Sequence, residues 1–234
     1  MKKQTVWLFD LDNTLHDARA IFRSISAAMT DYIEEHLAVD RTEANRLRSV
    51  YWERYGATLP GLTRHHGVSA AHFLHETHVL PDLEARVRWH AGDLALLQRL
   101  PGRKILLTNA PEAYARRVLR SLGNLGMGHV FEQVIAFEQM RMFGQHRSKP
   151  DARMLRHVLA RHRLRATDCV LVEDTLIHQK SARALGIKTV WMQRWLLDTR
   201  GARHGPEASS LLRRRPVYVS RRVRSLKSLL SGGF

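Results

Sequence analysis

The 234-residue chain carries 38 Lys and Arg against 22 Asp and Glu, a formal charge of +16, and 44% of its residues are hydrophobic. That length and apolar content exclude a disordered protein and fit one domain with a sizeable insertion, or two small ones. The single cysteine, Cys169, excludes an internal disulfide and a multi-cysteine zinc site, while the positive balance points to an anionic partner or substrate.

Val6 to Asp10 reads as a first strand, an apolar run closed by Asp10 and Asp12 with a hydroxyl at Thr14. The run is too short for a secretory leader, and no later stretch approaches the ~18 apolar residues of a membrane span. A cytoplasmic protein without membrane contact is therefore expected. A long stretch without a strand pattern follows. Ile21, Ile25, Met29 and Ile33 repeat at helical spacing, and Leu47, Tyr51 and Tyr55 mark a second helix. Residues 17–87 are expected to form a helical cap over the active edge of a sheet, hinged near Asp17 and near a helix beginning around Arg88. Within that cap, Tyr51, Trp52 and Tyr55 read as core aromatics, with Tyr55 also a candidate to stack on a substrate base. His65 and His66 read as cap packing in a turn before Gly67.

Four more apolar runs follow: "KILLT" (Lys104–Thr108), "QVIAF" (Gln133–Phe137), "CVLVE" (Cys169–Glu173) and "KTVWM" (Lys188–Met192). All are nearly continuous rather than alternating, the pattern of strands buried on both faces. Helical spacing separates them at Tyr114, Val118 and Leu122, and again at Met154, Leu155, Val158 and Leu159. The fold class is α/β, a Rossmann-like parallel sheet flanked by helices, with residues 1–16 and 88–202 as its core. Cys169 reads as a small buried hydrophobe. From 203 to 234, Arg203, Arg213, Arg214, Arg215, Arg221, Arg222, Arg224 and Lys227 face only Glu207, a basic tail. By default it is a solvated end. The alternative is a nucleic-acid contact whose salt-sensitive binding disappears when 203–234 are deleted, with turnover spared.

In a parallel sheet the ligand sits beyond the carboxyl ends of the strands, so the polar residues that close each run carry the chemistry. Asp10 and Asp12 close the first run, Thr108 and Asn109 the second, Glu173 and Asp174 the fourth, and "SKPD" places Lys149 ahead of Pro150, a residue suited to a first helical turn. Gathered carboxylates repel one another. Mg²⁺ relieves this best, because it keeps several waters and takes phosphate oxygens as ligands. The expected metal residues are Asp10, Asp12 and Asp174. Asp10 can attack phosphorus and become an aspartyl phosphate, and Asp12 can protonate the leaving oxygen and then deprotonate the hydrolytic water. Thr108 and the backbone amide of Asn109 are expected to hold phosphate oxygens, with Lys149 offsetting charge on nucleophile and phosphoryl group.

Together "DLDNTL", "LLTNA", "SKPD" and "LVEDT" resemble the four motifs of the haloacid dehalogenase superfamily, over about Val6 to Met192. The insert between the first two motifs is similar to that superfamily's type-one cap. Phosphatases of the superfamily resemble this chain in having Asp two residues after the nucleophile, whereas dehalogenases lack it, so the resemblance implies phosphoryl transfer with Mg²⁺. The stretch "YWERYGATLPGL" (Tyr51–Leu62) looks like a segment of the pyrimidine 5′-nucleotidase branch, which implies UMP or CMP as substrates; a broad or phosphoglycolate-type phosphatase is the alternative. The implied partner is a small phosphorylated metabolite or mononucleotide. Two departures stand out: Gln179 occupies a position where many relatives carry an acid, and Glu173, Asp174, Thr175 and His178 replace that branch's Asp-Asp-Ser with a later Asn.

Overall fold

A computed structural model of the protein describes residues 4–123, 127–196 and 214–231. These divide into two compact units, one made of the residues up to Asp17 and from Arg88 onward, the other of Ala18–Val87. Among the described residues, no helix is long and apolar enough to cross a membrane.

In chain order the elements are β1 (Val6–Phe9), α1 (Arg19–Leu37), α2 (Arg41–Tyr55), α3 (Thr58–His66), α4 (Ala70–His78), α5 (Leu83–Arg86), α6 (Asp93–Arg99), β2 (Arg103–Leu107), α7 (Glu112–Ser121), β3 (Gln133–Ile135), β4 (Arg141–Met142), β5 (Gln145–His146), α8 (Ala152–Arg161), β6 (Cys169–Glu173), α9 (Leu176–Ala184), β7 (Lys188–Met192), β8 (Arg221–Val223) and α10 (Lys227–Leu230). Six strands make one parallel sheet in the order β3-β2-β1-β6-β7-β8, and β4 with β5 forms a separate antiparallel hairpin. Every residue of β1 and β6 is buried, which explains their unbroken apolar runs. One face of the sheet, with Val6, Leu8, Ile105, Leu107 and Leu171, packs on Met154, Leu155, Val158 and Leu159 of α8. Cys169 is fully buried, and burial pushes its thiol up to about 11.

The strand order decides where the chemistry collects. The chain builds β1, then β2 and β3 on one side, then β6, β7 and β8 on the other, so β1 lies between β2 and β6 at the point where the order reverses. The polar residues that follow β1, β2 and β6 are thereby made neighbours.

In the unit that carries the sheet, four expectations change. Arg88 does not open a helix: its carbonyl accepts from the Asp17 amide at 2.7 Å, the two residues pair as antiparallel backbone, and α6 begins at Asp93. The "QVIAF" strand ends at Ile135, because Gln139 folds back to accept from the Ala136 amide and Phe137 enters a 3₁₀ turn. Pro150 lies just outside α8, whose N-cap is Asp151, accepting from the Arg153 amide at 2.8 Å. The basic segment supplies β8 in parallel with β7, and Val219, Val223, Leu226 and Leu229 are buried. Its arginines sit on an edge strand, where charge discourages pairing with a further chain. Residues 203–213 and 232–234 of the expected tail lie outside the described residues.

The second unit is helical throughout. Tyr51 and Tyr55 share a face of α2, and Tyr51 is buried, but Trp52, one residue round the helix, is 62% exposed rather than core. His65 and His66 occupy the last turn of α3 rather than a loop; Gly67 caps that helix in the left-handed conformation (φ 67°). The Tyr51 hydroxyl lies 2.7 Å from His66 Nε2 and that of Tyr55 2.7 Å from His65 Nε2.

Candidate active site

The strand β1 runs directly into the site. The Asp10 amide continues the ladder to Val172 O at 3.0 Å, and the chain then tightens: the amides of Thr14 and Leu15 both donate to Leu11 O, with Asn13 left-handed at φ 55°. This turn returns His16 to Asp12, four residues earlier.

At the centre is Lys149, 1% exposed. Its Nζ donates to Asp10 Oδ1 at 2.7 Å, to Glu173 Oε2 at 2.8 Å and to Leu107 O at 2.8 Å, which uses all three of its protons. The Asn109 carboxamide fixes the lysine's backbone: Nδ2 donates to Lys149 O and Oδ1 accepts from Lys149 N, both at 2.9 Å. This side-chain function of Asn109 was not foreseen from the sequence. Thr108 is buried, and its Oγ1 accepts from the Ala110 amide at 3.1 Å, which leaves the hydroxyl proton available to donate.

Asp10, Glu173 and Asp174 each offer a carboxylate oxygen within 4.8 Å of one another, the one such group among the described residues. Three acids face a single lysine. Burial, then the Glu173 charge, raises the Asp10 carboxyl to about 7 despite Lys149, and burial with Glu173 and Asp10 raises Asp174 well above the usual carboxylate range. Burial also disfavours the Glu173 carboxylate, but Lys149 and His178 outweigh it and hold that group well below the usual range. For Lys149, burial opposes the ammonium and the Asp10 and Glu173 charges overcome it, so the amine is held above its ordinary value. The surplus of negative charge on hard oxygens suits a divalent oxygen-seeking cation, and Asp10, Glu173 and Asp174 are the residues that could hold it.

Glu173, whose direct role the sequence left open, thus belongs to the cluster. The Asp12 carboxylate, expected among the metal residues, does not join it. Instead Asp12 Oδ1 accepts from Tyr114 Oη at 2.7 Å and lies 2.9 Å from His16 Nε2. The sequence shows Tyr114 only as part of an apolar helical stripe and gives His16, one of several polar residues in "NTLHD", no signal that sets it apart. Gln179 is buried and donates to Glu173 O at 2.6 Å and Val190 O at 2.9 Å, tying the end of β6 to the middle of β7, which a carboxylate could not do. His178 Nδ1 lies 3.1 Å from Glu173 Oε2. Asp174 is anchored through its carbonyl, which accepts from the buried Trp191 indole at 2.8 Å. Tyr55 lies on α2 of the helical unit, its ring beneath the Arg54 guanidinium at 5.4 Å.

Comparison with known proteins agrees with this architecture. The family model for haloacid dehalogenase-like hydrolases matches residues 7–192. A haloacid dehalogenase superfamily phosphatase from Thermococcus onnurineus is similar over 98% of both chains, with 18% identity and a TM-score of 0.60. A proposed phosphoglycolate phosphatase from Lactobacillus plantarum is similar at 17% identity and a TM-score of 0.62, over 98% of this chain and 99% of the other. A 2-haloacid dehalogenase from Pseudomonas syringae shares 19% identity at a TM-score of 0.55, covering 97% of this chain and 96% of its own. These structures share the fold across two chemistries, so the fold does not choose between them. With four motifs brought to one sheet edge and a family match over most of its length, the chain belongs to the haloacid dehalogenase-like hydrolases.

Proposed function

We propose that the protein is a Mg²⁺-dependent phosphomonoester hydrolase that works through an aspartyl-phosphate intermediate on Asp10. The observation that supports this most directly is the division of labour between two acids two residues apart: Asp10 sits with Lys149, Glu173 and Asp174, while Asp12 is held apart by His16 and Tyr114. A dehalogenase has no leaving oxygen to protonate and no use for the second acid.

Asp10, Glu173 and Asp174 would hold the cation, which when bound supplies charge compensation for the phosphoryl oxygens. In the first step an Asp10 oxygen forms a bond to phosphorus as the ester P–O bond breaks, and Asp12 gives its proton to the departing alkoxide. In the second, water attacks the phosphorus of the acyl phosphate, Asp12 takes the water's proton, and Asp10 is released with inorganic phosphate. Lys149 holds Asp10 in place and offsets charge on the transferring group; Thr108 Oγ and the Asn109 amide offer donors to its non-bridging oxygens.

The substrate class we infer is a small phosphomonoester, with pyrimidine 5′-mononucleotides first, on the strength of the Tyr51–Leu62 stretch. A phosphoglycolate-type substrate is the second reading, favoured by the Lactobacillus plantarum likeness. The test is phosphate release with Mg²⁺ over UMP, CMP, their deoxy forms, purine nucleotides, phosphoglycolate and sugar phosphates, with Asp10→Asn as control. Turnover that vanishes in Asp10→Asn and favours UMP and CMP is the expected result. Full activity in Asp10→Asn removes the nucleophile assignment, and preference for phosphoglycolate replaces the nucleotidase reading.

A further inference from the structure

We propose that His16 and Tyr114 are positioning residues for the acid–base step: together they fix one oxygen of the Asp12 carboxylate and leave the other as the sole carrier of the transferred proton. This rests on the phosphatase reading above and deepens it.

Two donors from separate parts of the chain converge on one atom. Tyr114 Oη on α7 lies 2.7 Å from Asp12 Oδ1, and His16 Nε2 in the turn after β1 lies 2.9 Å from the same oxygen. Both donors are enclosed: His16 is 0% and Tyr114 2% exposed, while the Asp12 side chain keeps 14%. The carboxylate is therefore held through Oδ1 by two enclosed groups, while its side chain keeps some exposure. His16 Nδ1 is buried with no hydrogen-bond partner among the described residues. A proton there would be an unsatisfied buried N–H, so the imidazole carries its hydrogen on Nε2, where it donates to Asp12. A carboxyl group turns easily about its terminal torsion, and a proton aimed at a leaving oxygen is effective only if that torsion is held. With Oδ1 engaged twice, the proton on Oδ2 has one direction, and the same oxygen returns to take the proton from water.

Packing alone would satisfy a buried phenol and imidazole in the same way, so the test must read proton delivery. Rates are measured for the wild type, Tyr114→Phe, His16→Leu, His16→Gln and the double variant Tyr114→Phe/His16→Leu. The two substrates are an alkyl phosphate, whose alkoxide needs a proton, and p-nitrophenyl phosphate, whose phenolate leaves without one. The expected result is a fall in kcat/KM on the alkyl ester of roughly tenfold or more for Tyr114→Phe and His16→Leu, within the range that general acid catalysis supplies. On the aryl ester kcat/KM changes by less than about threefold, since that constant reports phosphoryl transfer to Asp10 and not the later hydrolysis. His16→Gln, which keeps an N–H at similar reach, recovers most of the alkyl rate. The double variant shows a burst of p-nitrophenolate as the slowed second step lets phosphoenzyme accumulate. Equal losses on both esters, or no loss on either, in variants that keep the wild-type melting temperature overturn the positioning role and leave the phosphatase reading intact. A wild type that cleaves neither ester overturns both.

Discussion

Lys149 shows how one side chain sets the state of a site. Its three acceptors fix its place, and it pairs with Asp10 and Glu173 but not with Asp174; burial, with the neighbouring Glu173 charge, leaves both Asp10 and Asp174 binding protons more tightly than free carboxyls. The sign of the pH effect follows. Asp10 titrates near 7 in the folded chain against 3.8 unfolded, so in metal-free protein its contribution to stability is full below about 4 and is lost as pH rises through 7. Glu173 is displaced the other way, and its contribution is complete above 4.5 and constant across that window. A divalent cation needs the carboxylates ionised and so competes with those protons. The increase in melting temperature on exchanging chelator for Mg²⁺ is therefore expected to be larger at pH 8 than at pH 5.5. An increment that does not change with pH would show that the cluster does not bind the ion through these acids.

At the level of elements, the Tyr51–Leu62 stretch that suggested a nucleotide substrate also has structural work within the helical unit. Gly56 ends α2 in the left-handed conformation at φ 78°, its amide donating to Trp52 O at 2.8 Å. Gly61 on α3 lies against Tyr51: a methyl there would stand 2.2 Å from the ring's Cγ. Gly56 and Gly61 in that stretch thus serve helix termination and close packing of α2 on α3. Gly61→Ala sets about 1 kcal/mol of gained helix propensity against overpacking of about 1–3 kcal/mol, and the 2.2 Å approach makes packing the larger effect. Net destabilisation in a denaturant titration is the expected outcome; a variant as stable as the parent would mean that Tyr51 moves aside freely.

For the molecule as a whole, the described part of the C-terminal basic segment supplies an edge strand of the sheet. Val219, Val223, Leu226 and Leu229 are all at most 3% exposed, and the Gln193 amide donates to Val223 O at 2.8 Å. Truncation after residue 213 is therefore expected to lower thermal stability and turnover together, in contrast to the dispensable tail that the charge pattern suggested. A truncated chain that melts and turns over like the full one would return the segment to the status of an appendage. The strands β1, β2, β6 and β7, the helices α1 and α8 and the acids that end β1 and β6 were legible in the sequence, because a strand buried on both faces writes an unbroken apolar run and a carboxylate closing such a run has no apolar explanation. The short strand β8 was not, since an edge strand buries little and its arginines read as a solvated tail. Nor was the clamp on Asp12: Tyr114 is 102 positions away, and its hydroxyl meets Asp12 only through the path of α7. Sequence alone thus determined where β1, β2, β6 and β7 run and which acids follow β1 and β6, through burial and periodicity, which are local. Which acids gather into one cluster and which oxygen of Asp12 is engaged were decided by strand order and helix placement, because those set distances between residues that the chain itself keeps far apart.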